Sequence, residues 1–585
     1  MSVLTRILTR SSYVLLAACL AASIFAALWL FTTPYSVWTH QILEKIGKLQ
    51  QIKEFEENFM PLKKFYFLRA AMFSCVVFLA GAFALLLRFQ EKVSVFFEKT
   101  TGILSGFFRA TLEVFGALGQ KEKIACLLAI TLLLLWRIKL LFFIPLNYDE
   151  AYSFLNFSSR GPLVAATYYK APNNHIFFSI LSSLFVQLPL GPTLAIRLPA
   201  FLASGLASCL LFVLIGKLAS PRAGLATATL FSFSIPITLY AILGRGYSFV
   251  ILFFLAGLHA AFKIIRGGSA FYWVFLSAAC ILGMFTTPVF ADPAALFYLF
   301  ILWQLLSQKK RPWKEMVLSG TAVALLTAMC YIPALVVSGV TAFMHPSVLP
   351  DNRQEVIQAM PVYLADMFDW LTGSRRPFGL LAAGFAVPAL GWLAFKKTGG
   401  IKLFAQCALL FLASPPFFAV VHAVQAYFRI WIYLIIFLAA SLPLFFFHGG
   451  GREKSAAHPF PFANSLVTIL CIFTAAFGMI RFDTWHREHF LTDCRVGGYI
   501  RSLTGRPLQS IYTDYDHFDV LFRYQNRKNR FRMNSGTLPF DENQNYDLVV
   551  LKKPLFLPGS LLERHYQLHF DDPSFQALIS KAAEK

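Results

Sequence analysis

The chain has 585 residues, 57% of them hydrophobic and only 14% charged, with a mean hydropathy of +0.60 and a formal charge of +22. Soluble domains carry about 25% charged residues, so this balance excludes a soluble globule. Continuous apolar windows of roughly 20 residues fit membrane-crossing helices and exclude a β-barrel, whose strands alternate in polarity.

The basic excess collects in short loops between apolar runs, where it orients spans and meets anionic lipid. No nucleic-acid partner is therefore expected. Eight of the nine cysteines lie inside apolar runs and no CxxC spacing occurs, so neither a disulfide framework nor a cysteine metal site follows. Arg6 and Arg10 precede an apolar stretch of about 12–31 that is too long for a signal-peptide core, and it reads as an anchor that is retained.

Spans are expected near 12–32, 66–88 and 124–145, with a basic segment at 89–123 that the positive-inside rule places in the cytoplasm. The third span then delivers Asn147-Tyr148-Asp149-Glu150 to the external face. The apolar run His175–Leu190 decides the rest of the topology. If it crossed the membrane, Lys217, Arg222, Lys263 and Arg266 would lie outside. If it lies at the interface, these residues fall inside, as do the basic groups around 309–314, 396–402 and 452–454. The second choice obeys the rule at every loop, so 146–194 reads as an external loop with interfacial helices.

Further spans are expected near 195–217, 222–241, 247–265, 271–288, 290–307, 316–339, 377–395, 401–421, 427–447 and 462–481, about thirteen in all. A second external loop is placed near 340–376, the transmembrane module at 1–482, and an external α/β domain at 483–585. The last segment is rich in aspartate and carries short β-like runs at 509–512 and 547–551. It has no Walker loop, GxGxxG or HExxH signature.

Ionisable groups at membrane depth default to functional candidates. The dipeptide Asp149-Glu150 gains interest from its position directly after a span, where partial desolvation is expected to raise carboxylate basicity. Arg245, between Gly244 and Gly246, and Arg429 lie at outer span ends, against the positive-inside trend. Guanidinium binds phosphate bidentately, so two such arginines suit a phosphate at headgroup depth; the alternative for each alone is a lipid-headgroup contact. Lys170, His175 and Tyr247 join them as candidates, with Asn174 and Tyr152 in support. Asp292 and His422 also fall on the external side. Asn173-Asn174 before His175 read equally as a helix cap.

The run Asn147-Tyr148-Asp149-Glu150-Ala151-Tyr152, then Pro172-Asn173-Asn174-His175, Arg197-Leu198-Pro199-Ala200, Pro221-Arg222-Ala223-Gly224 and Gly244-Arg245-Gly246-Tyr247-Ser248, resembles membrane glycosyltransferases of the GT-C fold. The likeness is to the branch of the protein mannosyltransferases and the aminoarabinose lipid A transferases. It covers 125–265 in order and later spans in pattern; the two spans before the acidic motif depart from the family layout. The resemblance implies transfer of one sugar from a polyprenyl-phosphate donor to an external acceptor on lipid, glycan or protein. Asp149 would be the general base, Glu150 would orient acceptor or base, and Arg245, Arg429, His175 and Lys170 would hold the donor phosphate. No cofactor is expected, and a divalent cation stays compatible with the acids. Rival readings are a transporter or flippase of lipid-linked sugars, which would need paired repeats that the sequence lacks, and a lipid-linked glycan ligase. A bacterial inner membrane is the expected location.

Overall fold

The computed structural model describes residues 13, 17, 20, 21, 23–45, 52–169, 173–343, 350, 352–375, 377–447, 463–503, 510–529, 534–536, 546–553 and 566–581. The chain forms two compact units, one of residues 1–112 with 332–339, the other of 113–331 with 340–585. In the first, α1 (Tyr35–Lys45) and α2 (Leu62–Arg88) enclose an apolar cluster of Leu30, Trp38, Met60 and Phe65. Arg69 fastens it, donating to the carbonyls of Leu30, Phe31 and Thr33 while its guanidinium lies 4.6 Å from the Phe65 ring centre. The basic segment expected as a connector is mostly helix, α3 (Gln90–Gly116), because it holds no proline and repeats aromatic residues at helical spacing.

The second unit begins with α4 (Gln120–Phe143). After it come three short helices, α5 (Tyr148–Asn156), α6 (Pro162–Thr167) and α7 (Ile176–Phe185). At 10 residues α7 is too short to cross a bilayer. The long helices that follow are α8 (Pro192–Leu218), the pair α9 (Pro221–Phe233) and α10 (Ile235–Ile242), then α11 (Tyr247–Ile265), α12 (Phe271–Thr286), α13 (Ala291–Ser307) and α14 (Trp313–Ser338). Next are α15 (Arg353–Thr372), α16 (Phe378–Lys396), α17 (Gly399–Leu412), α18 (Ser414–His422), α19 (Ile435–Phe446) and α20 (Ala463–His489).

Among the described residues nine helices are long and apolar enough to cross a membrane, or ten with the bent pair α9–α10. The chain is thus a helical, multi-pass membrane protein. Two of the thirteen expected windows need correction. The window 222–241 is broken by 65° at Ser234, and the window 271–288 forms a helix of only 16 residues. The windows 12–32 and 66–88 fall largely where residues or side chains are not described, although α2 covers the latter as helix.

The break at Ser234 strands the last carbonyls of α9, and a buried charge on α4 answers them. Arg137 donates to the Ser232 carbonyl at 2.6 Å and to Ser204 Oγ at 3.1 Å. A cation at a helix C-terminus is favoured by the backbone dipole, here without a carboxylate partner among the described residues. Where α8 crosses α9, a Cβ on Gly224 would lie 2.6 Å from the Phe212 carbonyl, so only glycine permits this approach.

The helix α20 runs through the expected boundary at 482/483 to His489, and α21 (Leu491–Ser502) opens the C-terminal domain. A mixed sheet follows, ordered β2-β1-β3-β5-β4, from β1 (Ser510–Thr513), β2 (Asn534–Gly536), β3 (Leu548–Lys552), β4 (Tyr566–Asp571) and β5 (Phe575–Ser580). The strands β1, β2 and β3 run parallel, with α22 (Asp516–Asn529) crossing from β1 to β2, while β4 and β5 are antiparallel. The sheet core does not stand alone. Val496, Ile500, Phe518 and Leu521 share one apolar cluster with Leu146, Phe154, Phe178, Ile196 and Phe249 of the bundle. Burial of that shared surface seats the domain over α5.

A carboxylate between two arginines at the start of α5

The Asn147 side chain caps α5, accepting from the Glu150 amide at 2.9 Å, and Glu150 returns a bond to the Asn147 amide at 3.3 Å. This reciprocal box fixes where the helix starts and hence which way each acid points. Successive helical side chains diverge by about 100°, so Asp149 and Glu150 face different surroundings.

Glu150 turns inward and is fully buried. Arg197 Nε and Nη2 each donate to it at 2.8 Å, and the Gly244 amide donates at 2.7 Å. Arg197 also binds the carbonyls of Leu141, Ile144 and Pro145 where α4 ends. The pair locks α4, α5, α8 and the Gly244 turn together. Glu150 therefore braces the start of α5, with both of its oxygens engaged.

Asp149 turns outward and its side chain stays 27% exposed. Its Oδ2 lies 3.2 Å from Arg429 Nη1 and 3.7 Å from Arg245 Nη2, while its Oδ1 accepts no hydrogen bond among the described residues. Burial alone would raise its pKa, but Arg245, Arg429 and His517 outweigh that and hold it below the ordinary carboxylate value. The sequence-based expectation of raised basicity is thus corrected. The expectation counted desolvation and missed the cations that the fold brings in.

The two arginines are held differently. Arg245 is 3% exposed and its Nη1 donates to Ser153 Oγ at 3.0 Å, to the Asn173 carbonyl at 3.1 Å and to the Asn173 side chain. Arg429 is 33% exposed and lies over the Tyr427 ring, 4.7 Å from its centre, and 6.0 Å from that of Tyr247. The 3₁₀ turn Phe428–Leu434 that carries it is braced by α15. Tyr363 OH donates to the Ala426 carbonyl and accepts from Trp431 Nε1, both at 2.7 Å. Arg429 is the freer of the two to meet a ligand, and Arg245 is the more firmly built in.

His175 is buried beneath them with neither ring nitrogen hydrogen-bonded. Burial first, then Arg245 and Arg429, push its pKa well below the ordinary histidine value, so the ring is neutral. A Cβ on Gly246 would sit 2.8 Å from His175 Nδ1, so the glycine beside Arg245 makes room for the imidazole. Tyr247 packs edge-on to His175 at 4.8 Å and is buried. Asn174 is engaged structurally, donating to the carbonyls of Ala165 and Tyr168 and accepting from Ser179. Tyr152 lies one turn beyond Tyr148, with burial and the neighbouring Tyr168 and Tyr148 raising its pKa to about 12. Lys170 lies outside the described residues. His422 and Asp292 pair with each other at 3.1 Å, with no bond to Asp149.

Three residues that sequence reasoning left out of the site belong to its framework. Arg197 stood only in a motif string. Asp493 and His517 come from the C-terminal domain, where nothing in local sequence marks them. No group of three or more His, Cys, Asp or Glu among the described residues is arranged to hold a metal ion.

Fold and site together define a class: a multi-pass helical membrane protein whose short helix sets one open carboxylate between two arginines beneath a small α/β domain. No protein-family model matches the chain, and no curated protein matches it. Among solved structures it is similar to ArnT from Cupriavidus metallidurans. The crystal structure bound to undecaprenyl phosphate matches with a TM-score of 0.49 and 14% identity, covering 79% of this chain and 98% of that one. The apo structure matches with 0.49 and 13%, covering 78% and 98%.

Proposed function

We propose that this chain is a glycosyltransferase that moves one sugar from a polyprenyl-phosphate donor to an acceptor hydroxyl at the external face of an inner membrane, with its N-terminus in the cytoplasm. The observation that carries the proposal is Asp149, with one oxygen open and the other held between Arg429 and Arg245. Displacement at an anomeric carbon needs a base on the incoming hydroxyl and a cation on the departing phosphate, and this cluster holds both.

The arrangement also gives an order of events. Without donor, the arginines lower the basicity of Asp149. A phosphodiester entering beside Arg429 competes for the same guanidinium, and each contact it takes raises the basicity of the carboxylate. The acceptor oxygen then bonds to the anomeric carbon as Asp149 takes its proton. The bond from that carbon to the phosphate oxygen breaks, and its electron pair leaves with the phosphate at the arginines. A base that strengthens only when donor is bound limits wasteful reaction with water. His175, being neutral, adds no charge beneath the arginines.

The broken span α9–α10 is a feature that a transporter of lipid-linked sugars would share. Here Arg137 and Thr238 occupy the carbonyl freed at the break, which is a structural use of it. The test offers the purified protein undecaprenyl phosphate carrying radiolabelled sugars, with washed membranes as acceptor pool, and compares it with Asp149→Asn. Loss of turnover supports the reading. Turnover untouched by the change removes Asp149 as base, and movement of labelled lipid across sealed vesicles without chemistry favours transport.

A further inference from the structure

The C-terminal domain places an imidazole beside the catalytic helix. His517 stands in the first turn of α22, and its Nε2 bonds to the carboxylate of Asp493 on α21. The same carboxylate accepts the backbone N–H of Tyr148 at 3.3 Å. The His517 ring lies against the Tyr148 ring, with centres 4.1 Å apart. One nearly buried acid thus ties the imidazole to the residue immediately before Asp149. His517 Nδ1 has no hydrogen-bond partner among the described residues, and the side chain is 25% exposed. Its other neighbour is Tyr515, whose ring stacks at 5.5 Å and itself carries Lys552.

A carboxylate on one imidazole nitrogen fixes the tautomer and steadies the imidazolium, which leaves the opposite nitrogen to take up a proton. Asp149 needs such a partner. Once protonated among arginines, it must lose that proton before the next turnover, and Oδ2 is already held by Arg429 and Arg245.

We propose that His517, oriented by Asp493, is the proton outlet of the site: a positioning residue that acts through Asp149. This rests on the reading of Asp149 as base. The acceptor proton passes to the Asp149 carboxylate, then to His517 Nδ1, and from the imidazolium to water, so the carboxylate is restored and no charge accumulates. The C-terminal domain then contributes to the chemistry as well as to the packing over α5.

Two measurements on the full chain in detergent test this. The first follows the histidine ring signals by NMR, with His517 assigned by its absence in His517→Gln, in wild type and in Asp149→Asn. Replacing Asp149 by Asn should shift the His517 ring signals, because the ring packs on Tyr148, the residue before Asp149, and the proposed path joins the two groups. Unmoved signals overturn the coupling. The second measures turnover of undecaprenyl phosphate carrying radiolabelled sugar. His517→Ala should lower kcat about tenfold with KM unchanged, and added imidazole should restore it. An active wild type whose rate survives His517→Ala, or a slowed variant deaf to imidazole, overturns the outlet alone. A wild type inactive on every such donor overturns the transferase reading and the outlet with it, whatever the ring signals show.

Discussion

Asp149 and Glu150 are neighbours in sequence, both are carboxylates, and both meet arginine, yet the fold uses them for opposite purposes. Glu150 is sealed with Arg197 and spends both oxygens on partners from three segments. Asp149 keeps one oxygen free and shares the other between two cations on the open side of α5. The difference is one residue of helical rotation. A buried pair with every lone pair engaged is costly to break, whereas a half-open one contributes little to stability and stays available to a ligand.

The sharpest way to break this contrast is to neutralise each acid separately. Asp149→Asn should cost turnover at least about 100-fold, the range for losing a general base. Its melting temperature should barely move, because exposed ion pairs are worth about 1 kcal/mol or less. Glu150→Gln should do the reverse, lowering unfolding stability by about 3–5 kcal/mol as Arg197 is left buried and unpaired. Replacing both Glu150 and Arg197 by methionine should recover much of that loss. Equal melting of the two single variants in a denaturant titration would end the distinction.

A smaller effect separates the two arginines. Arg429→Met should raise the donor KM about tenfold or more, since charge-assisted hydrogen bonds are worth about 1.5–3 kcal/mol, while leaving the fold intact. Arg245→Met should also destabilise the protein, because Ser153 and Asn173 lose their donor. Steady-state kinetics beside thermal denaturation would show whether binding and scaffolding divide this way.

The smallest effect is a pH slope from His175. Its folded pKa is depressed, so below about pH 6.5 the unfolded chain takes up a proton that the native ring refuses. Stability from this source is present above that pH and falls as the solution is acidified, by at most about 1.4 kcal/mol per unit. His175→Phe should flatten the stability profile between about pH 5 and 6.5 if the packing tolerates the ring. An unchanged slope would show that another group sets it.

Much of the fold was legible because membrane insertion leaves a strong local signal. Nine of the expected windows correspond to helices long and apolar enough to span, and the run at His175 was readable as too short to do so. Two windows misled for physical reasons. Ser234 breaks a span that is apolar on both sides, and hydropathy does not register a bend. The helix α12 ends after 16 residues at Thr286, ahead of Thr287-Pro288. Within the site, Asp149, Arg245 and Arg429 were readable as polar residues at span ends. That Arg429 lies 280 positions from Asp149 and bonds to it was not.

The sequence by itself therefore determined the membrane class, the order of the spans and the acidic motif, because bilayer thickness and capping chemistry act over one or two helix lengths. Tertiary structure alone decided which acid faces outward, that Arg197 takes the other, that cations lower the basicity of Asp149, and that Asp493 and His517 of the last domain reach α5. Electrostatics depends on distances through space, and no pattern along the chain records them.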